Sequence, residues 1–151
     1  MSNEDVTFMQ MALEEAQKAF EEDEVPVGAA VVFEGRVVGR GRNAKESGCD
    51  PTAHAEVLAI RRAAKTLGRW RLSGCTLYAT LEPCPMCVGA MLSARLDRLV
   101  FGCTDDKAGA AVTLYDLARD TRMNHQLEVT SGVMADEAAR LLKDFFKKKR
   151  G

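Results

Sequence analysis

Two stretches of this sequence decide its fold: Asp-Pro-Thr-Ala-His-Ala-Glu at residues 50–56 and Pro-Cys-Pro-Met-Cys at residues 83–87. In each stretch, turn-forming residues and a proline precede an apolar segment of helical length, which is the usual pattern of a helix start. We predict one helix over residues 51–67, with Asp50 as its N-cap, and another over residues 84–95. Two helix N-termini therefore carry the histidine, the glutamate and the two cysteines of these stretches.

The rest of the chain alternates between helices and strands. Further helices are predicted over residues 5–22, 113–118 and 136–149. Strands are predicted over residues 25–33, 36–42, 76–81, 99–102 and 127–132, and loops over residues 47–51 and 105–111. The first two strands are joined by Glu34-Gly35, a turn short enough for an antiparallel hairpin. This order of elements predicts a three-layer α/β domain.

Length and composition are those of a globular protein. The 151 residues are 46% apolar and 28% charged, with a net charge of −1, so we expect residues 1–151 to form a single domain. A nearly neutral chain has no overall field that attracts polyanions, and a nucleic-acid partner would have to bind a local basic patch. The sequence contains neither an apolar run of membrane-spanning length nor a signal peptide.

The chain has five cysteines, of which only Cys84 and Cys87 have the Cys-x-x-Cys spacing. An odd number of cysteines without a signal peptide favours a cytoplasmic protein. In that compartment such a pair is typical of a metal or redox site rather than of a disulfide framework. We expect the other three, Cys49, Cys75 and Cys103, to behave as small core residues.

His54, Cys84 and Cys87 supply one imidazole and two thiolates, a typical set of zinc ligands. Three protein ligands leave the fourth tetrahedral position open for water, as in catalytic zinc sites, and Glu56 adds a carboxylate that can move protons. Two alternatives are a closed structural site with a third cysteine as fourth ligand, and a thioredoxin-type redox pair. The first leaves Glu56 without a role, and the second leaves His54 without one.

The spacing of His54 and Glu56 sets a structural condition. Residues two apart point to nearly opposite sides of a regular helix. These two can serve one site only if they lie on either side of an irregular first turn. A structure with Glu56 turned away from the site would rule out a catalytic role for it.

Four stretches resemble the bacterial tRNA-specific adenosine deaminases: EVPVGA at residues 24–29, DPTAHAE at 50–56, TLYATLEPCPMC at 76–87 and MNH at 123–125. They include the His-x-Glu and Pro-Cys-x-x-Cys signature of zinc-dependent nucleobase deaminases. The resemblance implies hydrolytic conversion of adenosine to inosine at the wobble position of a tRNA anticodon, by a homodimer with one zinc ion per subunit. It also implies the cytidine-deaminase-like fold, in which helices flank a central five-stranded mixed sheet in an α/β/α arrangement.

Carried over to this sequence, the resemblance implies that His54, Cys84 and Cys87 bind zinc. Glu56 would take a proton from the attacking water and pass protons to the base and to the leaving ammonia. Asn43 would hydrogen-bond the flipped base, because an amide both donates and accepts. The alternative for Asn43 is a turn residue at the end of the hairpin.

The resemblance implies three further substrate contacts, at Asp105, Lys107 and Phe146. The first two would lie on a loop near the target nucleotide, and their alternative is a solvated loop. Phe146 would shape the pocket or pack beside it, although helical spacing favours core packing for at least one of Phe145 and Phe146. The basic residues 147–150 either contact phosphates or simply suit the negative end of a helix.

Partners and competing functions follow from the same features. The helix over residues 84–95 is apolar on nearly all sides, so it must bury more than one face, within its own chain or against a second subunit. We expect a tRNA anticodon stem-loop as substrate, and neither a membrane nor duplex DNA as partner, because duplex stacking hides the reacting carbon. A deaminase acting on free guanine, cytosine or cytidine would have the same zinc residues. A non-catalytic RNA-binding module would have no use for Glu56.

Overall fold

The computed structural model describes residues 2–151, which contain five helices and five strands. The helices are α1 (Asn3–Glu21), α2 (Lys45–Gly48), α3 (Ala55–Leu67), α4 (Pro85–Ser93) and α5 (Ala135–Arg150). The strands are β1 (Gly28–Phe33), β2 (Arg36–Arg42), β3 (Cys75–Leu81), β4 (Arg98–Cys103) and β5 (Glu128–Thr130). None of these helices is both long and apolar enough to cross a membrane.

The strands form one sheet in the order β2-β1-β3-β4-β5. Strand β1 is antiparallel to β2 and β3, whereas β3, β4 and β5 run parallel to one another. Successive side chains of β1 serve opposite faces: Val31 joins the core cluster of α3 and α4, and Val32 joins that of α1. Helices α1 and α5 pack together on the second face. The predicted three-layer fold with a five-stranded mixed sheet is confirmed.

Helix α3 approaches β2 directly at two glycines. A Cβ on Gly41 would lie 2.1 Å from the carbonyl oxygen of Ala55, and one on Gly39 would lie 2.4 Å from that of Ala59. Both distances are far inside van der Waals contact, so a larger residue would force the helix away. Because Ala55 is the first residue of α3, its contact with β2 fixes where this helix begins.

The prediction for the segment before α3 is wrong in three respects. The loop predicted over residues 47–51 overlaps the short helix α2, and α3 begins at Ala55, later than predicted. Asp50 is not the N-cap, because its carboxylate accepts hydrogen bonds from the backbone N–H and the hydroxyl of Thr52 at 2.9 and 2.7 Å. This local turn competes with the helix start, and the N-cap is His54 instead.

The helix predicted over residues 113–118 is also wrong. The N–H of Thr113 donates to the carboxylate of Glu82, and the N–H of Leu114 donates to the carbonyl of Gly109. These bonds hold the segment in turns. The local sequence contains no sign of them, because Glu82 is remote along the chain.

The spare cysteines differ in burial. Cys75 is buried and Cys103 is partly buried, as expected of core residues, but Cys49 is exposed. Cys49 ends the short helix α2 with a left-handed backbone conformation, which turns the chain at the surface toward the start of α3.

Candidate active site at two helix N-termini

The first turns of α3 and α4 meet beyond the carboxyl end of β3. His54 is the N-cap of α3 and Cys84 is the N-cap of α4, both with extended backbone. Pro85 lies in the first turn of α4, as predicted, and Cys87 follows as the third residue of that helix. The Nδ1 atom of His54 lies 3.6 Å from Sγ of Cys84 and 3.4 Å from Sγ of Cys87.

These three donor atoms have the spacing of metal ligands. With Zn–S about 2.3 Å and Zn–N about 2.0–2.1 Å, a tetrahedral angle places sulfur and nitrogen about 3.5–3.6 Å apart. The separations of 3.4 and 3.6 Å agree with that arrangement. Among residues 2–151, His54, Cys84 and Cys87 form the single group of potential ligands that converge within 4.8 Å. No other cysteine of these residues joins them, so the closed structural site is not formed.

The pKa values of His54, Cys84 and Cys87 are shifted in different directions by their mutual contacts. Hydrogen bonding with Cys87 lowers the pKa of Cys84 to about 4 against the effect of burial, and His54 lowers it further. The same contact with Cys84, together with burial, raises the pKa of Cys87. Hydrogen bonding with Cys84 also raises the pKa of His54. A thiolate is thus favoured at Cys84, which lies at the positive end of a helix dipole, and the thiolate is the form of cysteine that binds a metal cation.

Glu56 is the second residue of α3 and is buried. Since His54 precedes the helix with an extended backbone, the two lie on either side of the helix start, and both line the same cleft. Burial raises the pKa of Glu56 to about 7, although its own backbone N–H and His54 lower it. In the described part of the chain no lysine or arginine pairs with this carboxylate. Such a group can accept a proton and return it.

The cleft beside these residues has a volume of about 160 Å³. Typical pockets for drug-sized ligands measure about 300–1,000 Å³, so this cleft has room for one small ring system rather than for a nucleotide with its neighbours. The remaining lining residues are Val25, Val27, Asn43, Lys45, Leu81, Glu82, Asp105 and Ala108. A substrate larger than a base would therefore extend out of the cleft.

Asn43 lies just after β2 and lines the cleft. Its backbone N–H donates to the carbonyl of Val27 at 3.1 Å. Within residues 2–151 its side-chain amide has no hydrogen-bond partner, and its polar atoms are not fully buried. Helix α2, which follows Asn43 along the chain, is held by Glu24. The Glu24 carboxylate accepts hydrogen bonds from the N–H groups of Glu46 and Ser47 at 3.2 and 2.7 Å. The Asn43 amide is thus free to bind a ligand.

The loop residues named from the sequence lie at different depths. Asp105 lines the cleft, and its Oδ1 accepts hydrogen bonds from the N–H groups of Lys107 and Ala108 at 3.0 and 3.2 Å. Lys107 is exposed and lies outside the cleft. The structure therefore brings Asp105, but not Lys107, to the His/Cys/Cys cluster.

Phe146 lies in an adjoining groove of about 660 Å³ that shares Val25, Leu81, Asp105 and Ala108 with the cleft. It is 44% exposed, so its ring can contact a ligand that leaves the cleft. Its neighbour Phe145 is buried and packs edge-on against Phe20. The prediction that at least one of the pair packs in the core is confirmed for Phe145.

Glu82 is the residue that sequence reasoning missed. It lies between β3 and Cys84 and is 1% exposed, yet its side chain has no lysine or arginine partner among the described residues. Burial raises its pKa, but hydrogen bonds from Thr113 and from the backbone of Val112 outweigh that effect, so the pKa of Glu82 is lowered. The sequence did contain a sign that Glu82 has a specific role, because an acidic residue stands at the end of an apolar strand, directly before Pro83-Cys84.

The fold and the site define a deaminase: the MafB19-like deaminase family model matches residues 3–150. Two curated relatives are more specific. The chain is 47% identical to the tRNA-specific adenosine deaminase of Bacillus subtilis, over 97% of this chain and 91% of that protein. It is 49% identical to the tRNA-specific adenosine deaminase of Haemophilus influenzae, over 97% of this chain and 85% of that protein. This chain belongs to the tRNA-specific adenosine deaminase family.

Solved structures agree with this placement. A structure from work on A-to-I editing by tRNA:A34 deaminases at the wobble position matches with a TM-score of 0.87 and 44% identity, over 90% of this chain and 99% of that one. The guanine deaminase of Nitrosomonas europaea matches with a TM-score of 0.82 and 27% identity, over 95% of this chain and 84% of that one. The fold is common to both, whereas sequence identity is higher with the tRNA enzyme.

Proposed function

We propose that this chain catalyses hydrolytic deamination of adenosine to inosine at the wobble position of a tRNA anticodon. The carrying observation is a buried, unpaired Glu56 beside the His/Cys/Cys cluster, in a cleft sized for one ring system. Water and adenosine give inosine and ammonia, as a C–O bond forms at C6 and the bond from C6 to the amino nitrogen breaks. Residues 1–151 act as one deaminase domain, in line with the family match over residues 3–150.

His54, Cys84 and Cys87 hold one zinc ion per subunit in this proposal. Two thiolates and an imidazole suit zinc better than magnesium or calcium, and the S–N separations fit tetrahedral coordination. When bound, zinc supplies Lewis-acid chemistry that makes water lose a proton near neutral pH. Reduced thiols are needed for this role, which fits a cytoplasmic location.

Glu56 moves the protons and Asn43 holds the base. Glu56 lines the cleft and none of the described lysines or arginines bonds to it, so it accepts the proton of the attacking water and delivers protons to the ring nitrogen and to the departing amine. The unpartnered Asn43 amide hydrogen-bonds the purine edge. Asp105 shapes the cleft wall and fixes its own loop.

An RNA loop fits this site better than a free base. The cleft accepts one base and opens into the apolar groove of Leu142 and Phe146, where a flanking nucleotide can lie, with Lys107 and Arg150 at the same groove. A single-stranded anticodon loop presents its bases at low cost, whereas a base in duplex DNA remains stacked.

The subunits pair as a homodimer in this proposal. Among residues 2–151, five of the seven exposed large hydrophobic residues are Met86, on α4, and Val112, Leu114, Tyr115 and Met123, on the segment after Ala111. Exposed apolar side chains of this kind are typical of a subunit interface when they form one patch. Sedimentation velocity of the purified protein would give twice the 16.5 kDa chain mass if the subunits pair, and the chain mass if they do not.

The test uses an anticodon stem-loop with adenosine at the wobble position, and in parallel free guanine, cytidine and adenosine. Inosine in the stem-loop, with no turnover of the small molecules, is the expected result. Matched controls are the same stem-loop with the adenosine moved one position along the loop, and the Glu56→Ala protein, which should retain metal but form no inosine. Turnover of guanine with an unchanged stem-loop would instead assign the guanine deaminase activity of the more distant relative.

A further inference from the structure

Glu82 joins the end of β3 to the proposed metal-binding turn. It follows Leu81, the last residue of β3, and precedes Pro83-Cys84. Its backbone N–H donates to the carbonyl of Cys103 at 2.8 Å, which anchors the residue to the end of β4. The backbone position of Glu82 is therefore set by the sheet.

Five donors converge on the Glu82 carboxylate, all from one segment. Oε1 accepts the N–H of Asp105 at 3.0 Å and the hydroxyl of Thr113. Oε2 accepts the N–H groups of Ala111, Val112 and Thr113 at 3.1, 2.8 and 2.9 Å. Hydrogen bonds to an ionised carboxylate are among the strongest in proteins.

These bonds tie both ends of the segment 105–113 to the strand. Asp105 and Ala108, at the start of that segment, form part of the cleft wall. A further bond, from the N–H of Ala110 to the carbonyl of Pro83 at 2.9 Å, joins the segment to the turn that carries Cys84. The cleft wall and the proposed metal ligand are thus parts of one hydrogen-bonded unit centred on Glu82.

Gly109 allows this closure. A Cβ at Gly109 would lie 2.4 Å from the carboxyl carbon and from Oε1 of Glu82. The segment therefore lies directly on the carboxylate, with no space for a side chain between them.

The geometry points to Glu82 as a positioning residue that sets substrate affinity by holding the segment 105–113 against the cleft. Every side-chain contact of its carboxylate goes to this segment. Glu82 also borders the cleft, but it is only 1% exposed and the hydrogen bonds of its carboxylate all go to the segment, so we assign its effect on the substrate to the segment. The choice of an RNA substrate for the test rests on the proposed function above.

The main test is Glu82→Gln. The amide keeps the size of the side chain but replaces one accepting oxygen by a donor that faces N–H groups. We expect KM for the anticodon stem-loop to rise about tenfold or more. We expect kcat to change by less than about threefold and the metal content per chain to stay the same. Faster hydrogen exchange at the amides of residues 111–113 should accompany the rise in KM.

The matched control is Asp5→Asn, which alters a buried carboxylate bonded to Arg98 and Tyr78 at the other end of the sheet. It should lower thermal stability at least as much as Glu82→Gln, with no change in KM. Equal KM values for the two variants, or a fall in kcat and metal content without a rise in KM for Glu82→Gln, would overturn the proposal.

Thr113→Val is a milder variant that keeps the proposal testable if Glu82→Gln does not fold, and Gly109→Ala disturbs the same contact from the side of the segment. Thr113→Val removes one donor, and Gly109→Ala inserts a methyl group between the segment and Glu82. Both should raise KM and leave kcat nearly unchanged. In the Glu82→Gln background, Thr113→Val should have almost no further effect, because the two residues act through one contact. Independent effects that add fully would contradict the proposal.

The wild-type protein separates this inference from the proposed function. If it forms no inosine in the stem-loop, the proposed function fails, and the variants are compared on whichever substrate it does convert. If it forms inosine and KM is the same in all the variants, only the role of Glu82 fails.

Discussion

Asp5 and Glu56 are equally buried carboxylates, each 4% exposed, at opposite ends of the sheet. Asp5 receives two hydrogen bonds from Arg98, at 2.9 and 2.7 Å, and one from the hydroxyl of Tyr78 at 2.7 Å. The bonds from Arg98 lower the pKa of Asp5 against the effect of burial, and Tyr78 adds to them. Glu56 has no such cation, and burial raises its pKa to about 7.

Exposure to solvent is the same at the two residues, but the protein encloses Glu56 more deeply, and the two residues also differ in their partners. At Asp5 the chain supplies the guanidinium of Arg98 and the phenol of Tyr78, and their hydrogen bonds stabilise the ionised carboxylate in the folded state. At Glu56 the backbone N–H of Glu56 itself, His54 and Cys87 compensate only in part, and burial outweighs them, which costs stability. A buried acid without a lysine or arginine partner is therefore a candidate for proton transfer, whereas a buried acid with such a partner is a candidate for stability.

The largest effect should come from Glu56→Gln. We expect kcat for stem-loop deamination to fall by about 10²–10⁴-fold, the usual contribution of a general acid–base. Metal content should stay at the wild-type value, and the thermal midpoint should stay equal or rise, because an uncompensated buried charge is removed. Inosine formation, elemental analysis and calorimetry check the three outcomes. If Glu56→Gln has a near-normal kcat or loses much stability, then Glu56 stabilises the fold, as Asp5 does, and is not the proton carrier.

The opposite outcome is expected for Asp5→Asn. Removing the charge leaves the partly buried Arg98 with only the exposed Glu128, at 3.7 Å, as carboxylate partner, so the free energy of unfolding should fall by about 2–4 kcal/mol. Inosine formation at a temperature where the variant is folded should match the wild type, since the contacts of Asp5 lie at the far end of the sheet. Urea unfolding and initial rates provide the measurement. If Asp5→Asn lost kcat without losing stability, Asp5 would not be the stabilising counterpart of Glu56.

Short local patterns predicted much of this molecule. The periodicity of apolar residues was enough for the three layers, and proline after Cys84 was enough for the start of α4. The spacing of His54 and Glu56 led to the condition of an irregular first turn, and the structure has an extended N-cap there. Each of these features depends on neighbouring residues, which a sequence displays directly.

Contacts between distant residues account for what was missed. The segment after Val112 has the composition of a short helix, but the carboxylate of Glu82, which is distant along the chain, accepts the N–H groups of Val112 and Thr113. Asp50 has the chemistry of an N-cap, but Thr52 uses its carboxylate first. The role of Gly41 in seating α3 was also missed, although alternate glycines in a strand can indicate a close helix.

The next largest effect is expected on kcat when the start of α3 is displaced, and Gly41→Ala and Gly39→Ala are a matched pair of variants that test it. Each added methyl group would clash with α3, at Ala55 and at Ala59 respectively, and each should cost about 1–3 kcal/mol of stability. Only Gly41→Ala moves the first turn, which carries His54 and Glu56. It should therefore lower kcat about tenfold or more relative to Gly39→Ala, since small misplacements of catalytic groups are costly. Equal activities at equal stability would show that the site tolerates movement of this turn.

The smallest effect concerns acid stability. The pKa of Asp5 is lowered below its ordinary value of 3.8 by folding, so its contribution is fully present above that value and is lost as pH falls toward the folded pKa. The stability difference between the wild type and Asp5→Asn should therefore shrink below about pH 4, by at most about 1.4 kcal/mol per pH unit. Acid also protonates the proposed metal ligands, but it does so in both proteins, and the difference between their urea unfolding curves at pH 7, 5, 4 and 3.5 cancels that loss. A difference that stays constant down to pH 3.5 would mean that the Asp5 carboxylate is not what Arg98 stabilises, and the contrast with Glu56 would then rest on geometry alone.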